Sequence, residues 1–153
     1  MVEFSTLSFD YTNRLAEIGI KAKAFSPISP FISTYYNYRD HRKIVVIDGK
    51  VAFTGGVNLA DEYINHIERF GYWKDVAIKL NGEAVNSLLV LFLQMWSITE
   101  PEMTVSPYLL TSHEKVESSG YVIPYGDSPL DNDHVGENVY IDILNPAPKH
   151  TQH

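Results

Sequence analysis

The chain has 153 residues, of which 44% are hydrophobic and 20% charged, and a net charge of −7. This is the composition of one soluble globular domain. The longest apolar run, Leu88 to Leu93, is far short of the roughly 20 residues of a membrane span, and no basic signal-peptide region opens the chain. The absence of cysteine excludes disulfides, thiol catalysis and Cys-based zinc sites, and the acidic balance argues against nucleic acid as a partner.

In chain order, residues 11–18 read as a short helix with Leu15 and Ile18 on one face and Gly19 as its stop. Residues 20–25 alternate apolar and basic side chains, the pattern of a marginal strand. Pro27 and Pro30 break it, and the aromatic run 31–38 follows as loop. Residues 43–48 and 50–54 are β-branched runs joined by Asp48-Gly49, a hairpin signal. Leu59, Tyr63 and Ile64 share a face if residues 58–66 are helical, and residues 72–80 alternate like a strand ending at Asn81-Gly82. The clearest helix is 83–98, where Val85, Leu88, Leu89, Phe92, Met95 and Trp96 recur at helical spacing and form a core stripe. Residues 99–119 read as loop, 121–125 as a strand, 126–134 as turns, and 136–145 as a helix start interrupted by Pro146 and Pro148. Alternating strands and helices imply an α/β layered domain, and both ends look unfinished.

The hairpin holds most of the chemistry. With Asp48-Gly49 as a two-residue loop, Ile47 faces Lys50, Val45 faces Ala52, Lys43 faces Thr54 and His41 faces Gly56. His41 and Lys43 then share a face about 7 Å apart, with Thr54 and Gly56 opposite and Asn58 where the strand gives way. Parity puts Asp48 on the other side, as a turn or network residue. Arg39, Arg42, Lys43 and Lys50 outnumber Asp40 and Asp48, so this segment is locally positive in an acidic chain. An imidazole, an ammonium, a carboxamide and the amides of a glycine turn suit a phosphate.

His41-x-Lys43-x4-Asp48 followed by Gly55-Gly56-x-Asn58 resembles the catalytic half-site of the phospholipase D superfamily. Residues 38–43 and 58–63, Trp73-Lys74-Asp75, Gly82 to Val85, Phe92, Trp96, Asp127 to Pro129 and Val135 to Tyr140 look like blocks of its bacterial cardiolipin synthases, in order. The resemblance implies a phospholipase D-like fold, a mixed β-sheet flanked by helices and incomplete at both ends. It divides the chain into a partial first domain, 1–125, and a linker with the start of a second, 126–153. It makes His41, Lys43, Asp48 and Asp75 catalytic, with Gly55, Gly56 and Asn58 binding the substrate phosphate and neither cofactor nor metal required.

The implied reaction joins two phosphatidylglycerol molecules into cardiolipin and glycerol through a phosphohistidine. An unperturbed imidazole titrates near pH ~6.5, so it serves as nucleophile or acid, while Lys43 and Asn58 offset transition-state charge. Asp75 would fix the tautomer of His41, with Glu68 as the fallback. Tyr35, Tyr36 and Tyr38 are candidates for a lipid entrance or for simple packing.

The family's site needs two copies of the motif, and this chain has one. His113-x-Lys115 lacks the aspartate, since position 120 is Gly, and His150/His153 is the only other pair at ligand spacing. The partner half-site is therefore expected from the rest of a longer polypeptide or from a homodimer mate, and this chain alone is expected to be inactive and soluble while the full-length enzyme sits at the bacterial cell membrane. Two alternatives stay open: a single-motif phosphodiesterase or nuclease active as a homodimer, and a non-catalytic module gripping phosphorylated headgroups.

Overall fold

The structure is a computed structural model that describes residue 8 and residues 10–24, 40–112, 115, 117–127 and 133–145. Internal contacts divide the chain into two compact units, Met1–His41 and Arg42–His153.

In the first unit, helix α1 spans Tyr11–Glu17. It stops as expected: Gly19 takes a φ of 81°, its N–H bonds Ala16 C=O at 3.0 Å, and Ile20 N–H bonds Leu15 C=O at 2.9 Å. That pair of bonds satisfies the last carbonyls of the helix. Residues 20–24 form no strand, although they alternate; no described neighbour offers a ladder for them. The aromatic run 31–38 lies outside the described residues, as do His113, Pro146, Pro148 and the terminal histidines.

The second unit is built on three strands, β1 (Ile44–Ile47), β2 (Val51–Gly55) and β3 (Ala77–Asn81). They form an antiparallel sheet in the order β1-β2-β3, so the mixed sheet expected from the resemblance is not what the described residues make. Helix α2, Ala84–Ser97, follows β3 directly and packs on one face of the sheet. Ala52, Val85 and Leu88 are buried there, with Ile44, Val46, Leu80 and Leu91 closing around them. Helix α3 spans Val135–Leu144, where Asp127 Oδ2 accepts the N–H of Gly136 at 3.0 Å and caps a first-turn donor.

The hairpin forms, but with a different register. Asp48 and Gly49 both have positive φ, 52° and 66°, and Lys50 N–H bonds Ile47 C=O at 2.9 Å, the signature of a type I′ turn. Ile47 nevertheless pairs with Val51, Val45 with Phe53 and Ile44 with Thr54. Lys50 thus belongs to the loop, and every partner shifts by one. Thr54 faces Ile44 rather than Lys43, on the side covered by α2. Continuing the alternation puts Lys43 with Val45 and Phe53 on the opposite side.

Other expectations fail as well. Residues 58–66 are a series of turns, not a helix. Their amides converge on two carbonyls: Tyr63 and Ile64 bond Ala60 C=O, while His66 and Ile67 bond Asp61 C=O. The strand expected over 72–80 begins only at Ala77, because the Trp73 amide is bound by a side chain instead of a neighbouring strand. Residues 121–125 form no strand, and Tyr121 and Ile123 are exposed. On α2, Leu93 is buried while Phe92 is 43% exposed, so the core stripe is narrower than the sequence spacing implies.

Candidate functional site

Where β2 ends, four of the expected site residues come together. Gly56 N–H bonds Val76 C=O at 2.9 Å, extending the β2–β3 ladder past Gly55. This close approach requires glycine: a Cβ on Gly55 would lie 2.6 Å from Ala77 Cα and collide with the Val76 carbonyl. Next to it, the Asp75 carboxylate packs over Gly56, with Oδ1 3.2 Å from the place a Cβ would occupy. Asn58 folds back and donates from Nδ2 to Gly56 C=O at 3.2 Å. Gly55, Gly56, Asn58 and Asp75 therefore form one cluster, positioned by backbone proximity that only small residues permit.

Asp75 is in turn held by a side chain that sequence reasoning left without a role. Trp73 Nε1 donates to Asp75 Oδ2 at 2.9 Å, and both residues are half-buried. Trp73 itself is fixed by Asn65, which donates from Nδ2 to Trp73 C=O at 2.8 Å and accepts Trp73 N–H on Oδ1 at 2.6 Å. Asn65 adopts a φ of 59°, a conformation that asparagine tolerates better than most residues. Tyr63 and Phe70 pack against Trp73, with ring centroids 5.0 and 6.0 Å away. The line Asn65–Trp73–Asp75–Gly56 thus ties the loop after the hairpin to the glycines at its mouth. A sequence signal that could have pointed here is an asparagine ahead of a glycine-aromatic stretch, where a turn in the left-handed region is natural.

Replacing Asn65 with alanine removes both bonds to Trp73 and leaves a Cβ residue at positive φ. The expected loss is about 2–3 kcal/mol of stability, with Trp73 emission shifting to the red; urea unfolding followed by fluorescence measures both. An unchanged midpoint would mean that the aromatic packing alone fixes Trp73.

Lys43 is half-buried just before β1, and His41 is an exposed residue that ends the first unit. Asp48 is exposed in the hairpin turn. At about 3.3 Å per residue, the length of β1 separates it from the glycine mouth. Near that turn an open cavity of about 590 Å³ is lined by Ile44, Val46, Leu89, Phe92 and Tyr108, with Asp48 and Gly49 at its rim. On α2, Asn86 bonds both the C=O and the N–H of Leu110, at 2.8 and 3.3 Å.

Comparison with known proteins adds a family to this geometry. No family model and no solved structure matches the chain. An uncharacterized protein of Streptococcus mutans is 68% identical over 147 residues, which is 96% of this chain and 32% of that protein. A cardiolipin synthase of Alkalihalophilus pseudofirmus is 37% identical over 145 residues, 94% of this chain and 29% of its own length. The cardiolipin synthase of Geobacillus thermodenitrificans is 43% identical over 106 residues, covering 69% of this chain and 21% of itself. The chain spans about a third or less of the relatives it matches. With identity of this order sustained across nearly its whole length, the chain belongs to the cardiolipin synthase family of the phospholipase D superfamily and corresponds to one segment of those proteins.

Proposed function

We propose that this chain carries one half of a phosphodiester-transfer site of cardiolipin synthase type. His41 is the nucleophile: an imidazole nitrogen attacks phosphorus of one phosphatidylglycerol, and the glycerol alkoxide leaves with a proton from a second histidine. A hydroxyl of another phosphatidylglycerol then attacks the phosphohistidine and gives its proton back to the second histidine, forming cardiolipin and restoring His41. Lys43 and Asn58 offset the charge on the phosphoryl oxygens, and the Gly55–Gly56 turn keeps bulk away from them. Asp48 holds the hairpin turn that fixes the strand bearing Lys43. Residues 1–125 make the first domain and 126–153 lead toward a second, which supplies the other histidine from the same polypeptide or from a mate.

The observation that carries this reading is the Asp75 carboxylate at the glycine mouth. Left beside a phosphate on its own, a carboxylate repels it. Set behind an imidazole it raises basicity and fixes the tautomer, which is the role proposed here toward His41. The relatives' names supply the substrate class.

The test is a chimera in which this chain replaces the matching segment of the Alkalihalophilus pseudofirmus protein, expressed in a bacterium that lacks cardiolipin. The chimera is expected to restore cardiolipin, and the isolated chain to make none. A chimera present at normal abundance and inert in membranes would sink the proposal, as would turnover by the isolated chain as a monomer.

A further inference from the structure

A carboxylate ends on a bond with a broad, nearly two-fold rotation, so its place in the chain does not fix which oxygen faces a site. For Asp75 the neighbours decide. Oδ2 accepts the Trp73 indole N–H at 2.9 Å, and Oδ1 is the oxygen that lies over Gly56. The two oxygens therefore have separate surroundings, one an aromatic donor and the other the glycine mouth.

The donor is itself held from several sides. Asn65 takes both backbone groups of Trp73, at 2.8 and 2.6 Å. Tyr63 meets the indole edge-on at 5.0 Å and 69°, and Phe70 lies tilted to it at 6.0 Å and 57°. Backbone and ring plane are both set, and with them the direction of Nε1. Trp73 and Asp75 are half-buried, where a hydrogen bond to a charged oxygen is stronger than in water. An indole N–H donates a hydrogen bond and accepts none, so Oδ2 is committed as an acceptor. In a carboxylate–imidazole pair the proton stays on the imidazole, and a donor on the far carboxylate oxygen works in that direction.

We propose that Trp73 is a positioning residue for the phosphoryl transfer: its indole N–H holds Asp75 with Oδ1 at the glycine mouth, in the orientation that serves His41. The inference deepens the proposed function and rests on it for the part played by Asp75, whereas the indole–carboxylate bond stands on geometry alone.

The chimera with the Alkalihalophilus pseudofirmus protein provides the test, through two changes at one position. Trp73→Phe keeps an aromatic ring beside Tyr63 and Phe70 and removes the donor. A β-(3-benzothienyl)alanine at position 73, introduced by stop-codon suppression, keeps the bicyclic outline and puts sulfur in place of the N–H. Both should lower kcat for cardiolipin formation by about tenfold, the size of loss expected when a partner that orients an active group is removed. KM should stay within about twofold, because orientation in the transition state is lost and substrate binding is not. A packing role gives a different pattern, with loss in Trp73→Phe and full rate with the benzothienyl side chain. Asp75→Ala is the second control: once the carboxylate is gone, Trp73→Phe should change the remaining rate by no more than about twofold. If Asp75→Ala turns over too slowly to read, the two side chains at position 73 decide alone. In the full chain labelled with 15N, the Trp73 Nε1–H resonance, assigned with Trp96→Phe, should move upfield and exchange faster with water in Asp75→Ala.

Full kcat with the benzothienyl side chain would overturn the inference. So would a further tenfold loss from Trp73→Phe on top of Asp75→Ala, or an indole resonance indifferent to Asp75→Ala. An active parent chimera with any of these results leaves the proposed function standing and removes this inference alone. An inert parent chimera in which the indole resonance still answers to Asp75→Ala removes the proposed function, and with it the part of Trp73 in catalysis.

Discussion

Cardiolipin formation by the chimera should fall at least about a thousandfold when His41 becomes alanine, because a covalent mechanism has no substitute for its nucleophile. The same change should abolish label transferred from a radioactive phosphatidyl donor to protein and recovered under alkaline conditions, where a phosphoramidate survives. His41 is exposed, so stability should change by no more than about 1 kcal/mol, and the loss can be read as chemistry. Undiminished labelling in the variant would move the nucleophile elsewhere. Labelling that persists while cardiolipin disappears would make His41 the acid for the leaving group and assign the covalent step to the partner half-site.

Gly55→Ala is expected to destabilise the fold by about 2–4 kcal/mol, the range for forcing atoms into a packed site with no room to yield. The obstruction is backbone: the new Cβ meets the Val76 carbonyl and sits 2.6 Å from Ala77 Cα, and neither can move without separating β2 from β3. Gly56 provides the internal comparison. A Cβ there meets the Asp75 carboxylate at 3.2 Å, and a side chain can rotate away. Gly56→Ala should therefore cost about 1 kcal/mol while displacing Asp75 from its place over the turn. Urea titration of the pair tests this order, and a larger loss at Gly56 would contradict the account of the close approach. In catalytic assays the ranking should reverse among folded molecules, because only Gly56→Ala disturbs the carboxylate directly.

Much of the hairpin was legible before any coordinates. Asp48-Gly49 between β-branched runs announces a turn with two positive φ angles, and that turn forms. The register was not legible, because Lys50 is compatible with either loop or strand, and one residue decides which side chains share a face. Helices α1, α2 and α3 begin and end within a residue of the bounds read from the sequence. The segments that failed share a cause: alternation at residues 20–24 and 121–125 describes a strand only if a partner stands alongside, and a single sequence does not reveal the partner. Residues 58–66 failed differently. Leu59, Tyr63 and Ile64 have helical spacing, but Asn65 leaves the helical region at φ 59° and gives its side chain to Trp73. The glycine mouth was visible as a motif, along with Asn58 and Asp75. The indole that anchors Asp75 was not, since a hydrogen bond from Trp73 depends on how the loop returns.

The meander and the helix behind it have a consequence for synthesis. β1, β2, β3 and α2 occur in that order without interruption by any other element, and each packs on its neighbour in the chain. Contacts made so locally close quickly, since little chain entropy is lost before they are rewarded. Residues 42–97 can accordingly assemble while later parts of a polypeptide are still emerging from the ribosome. The slow event is closure of the loop from Gly55 to Ala77, and the Asn65 clamp shortens that search by pinning Trp73 beside the turn it must reach. The cluster of Gly55, Gly56, Asn58 and Asp75 is therefore in place before the rest of the chain has been made.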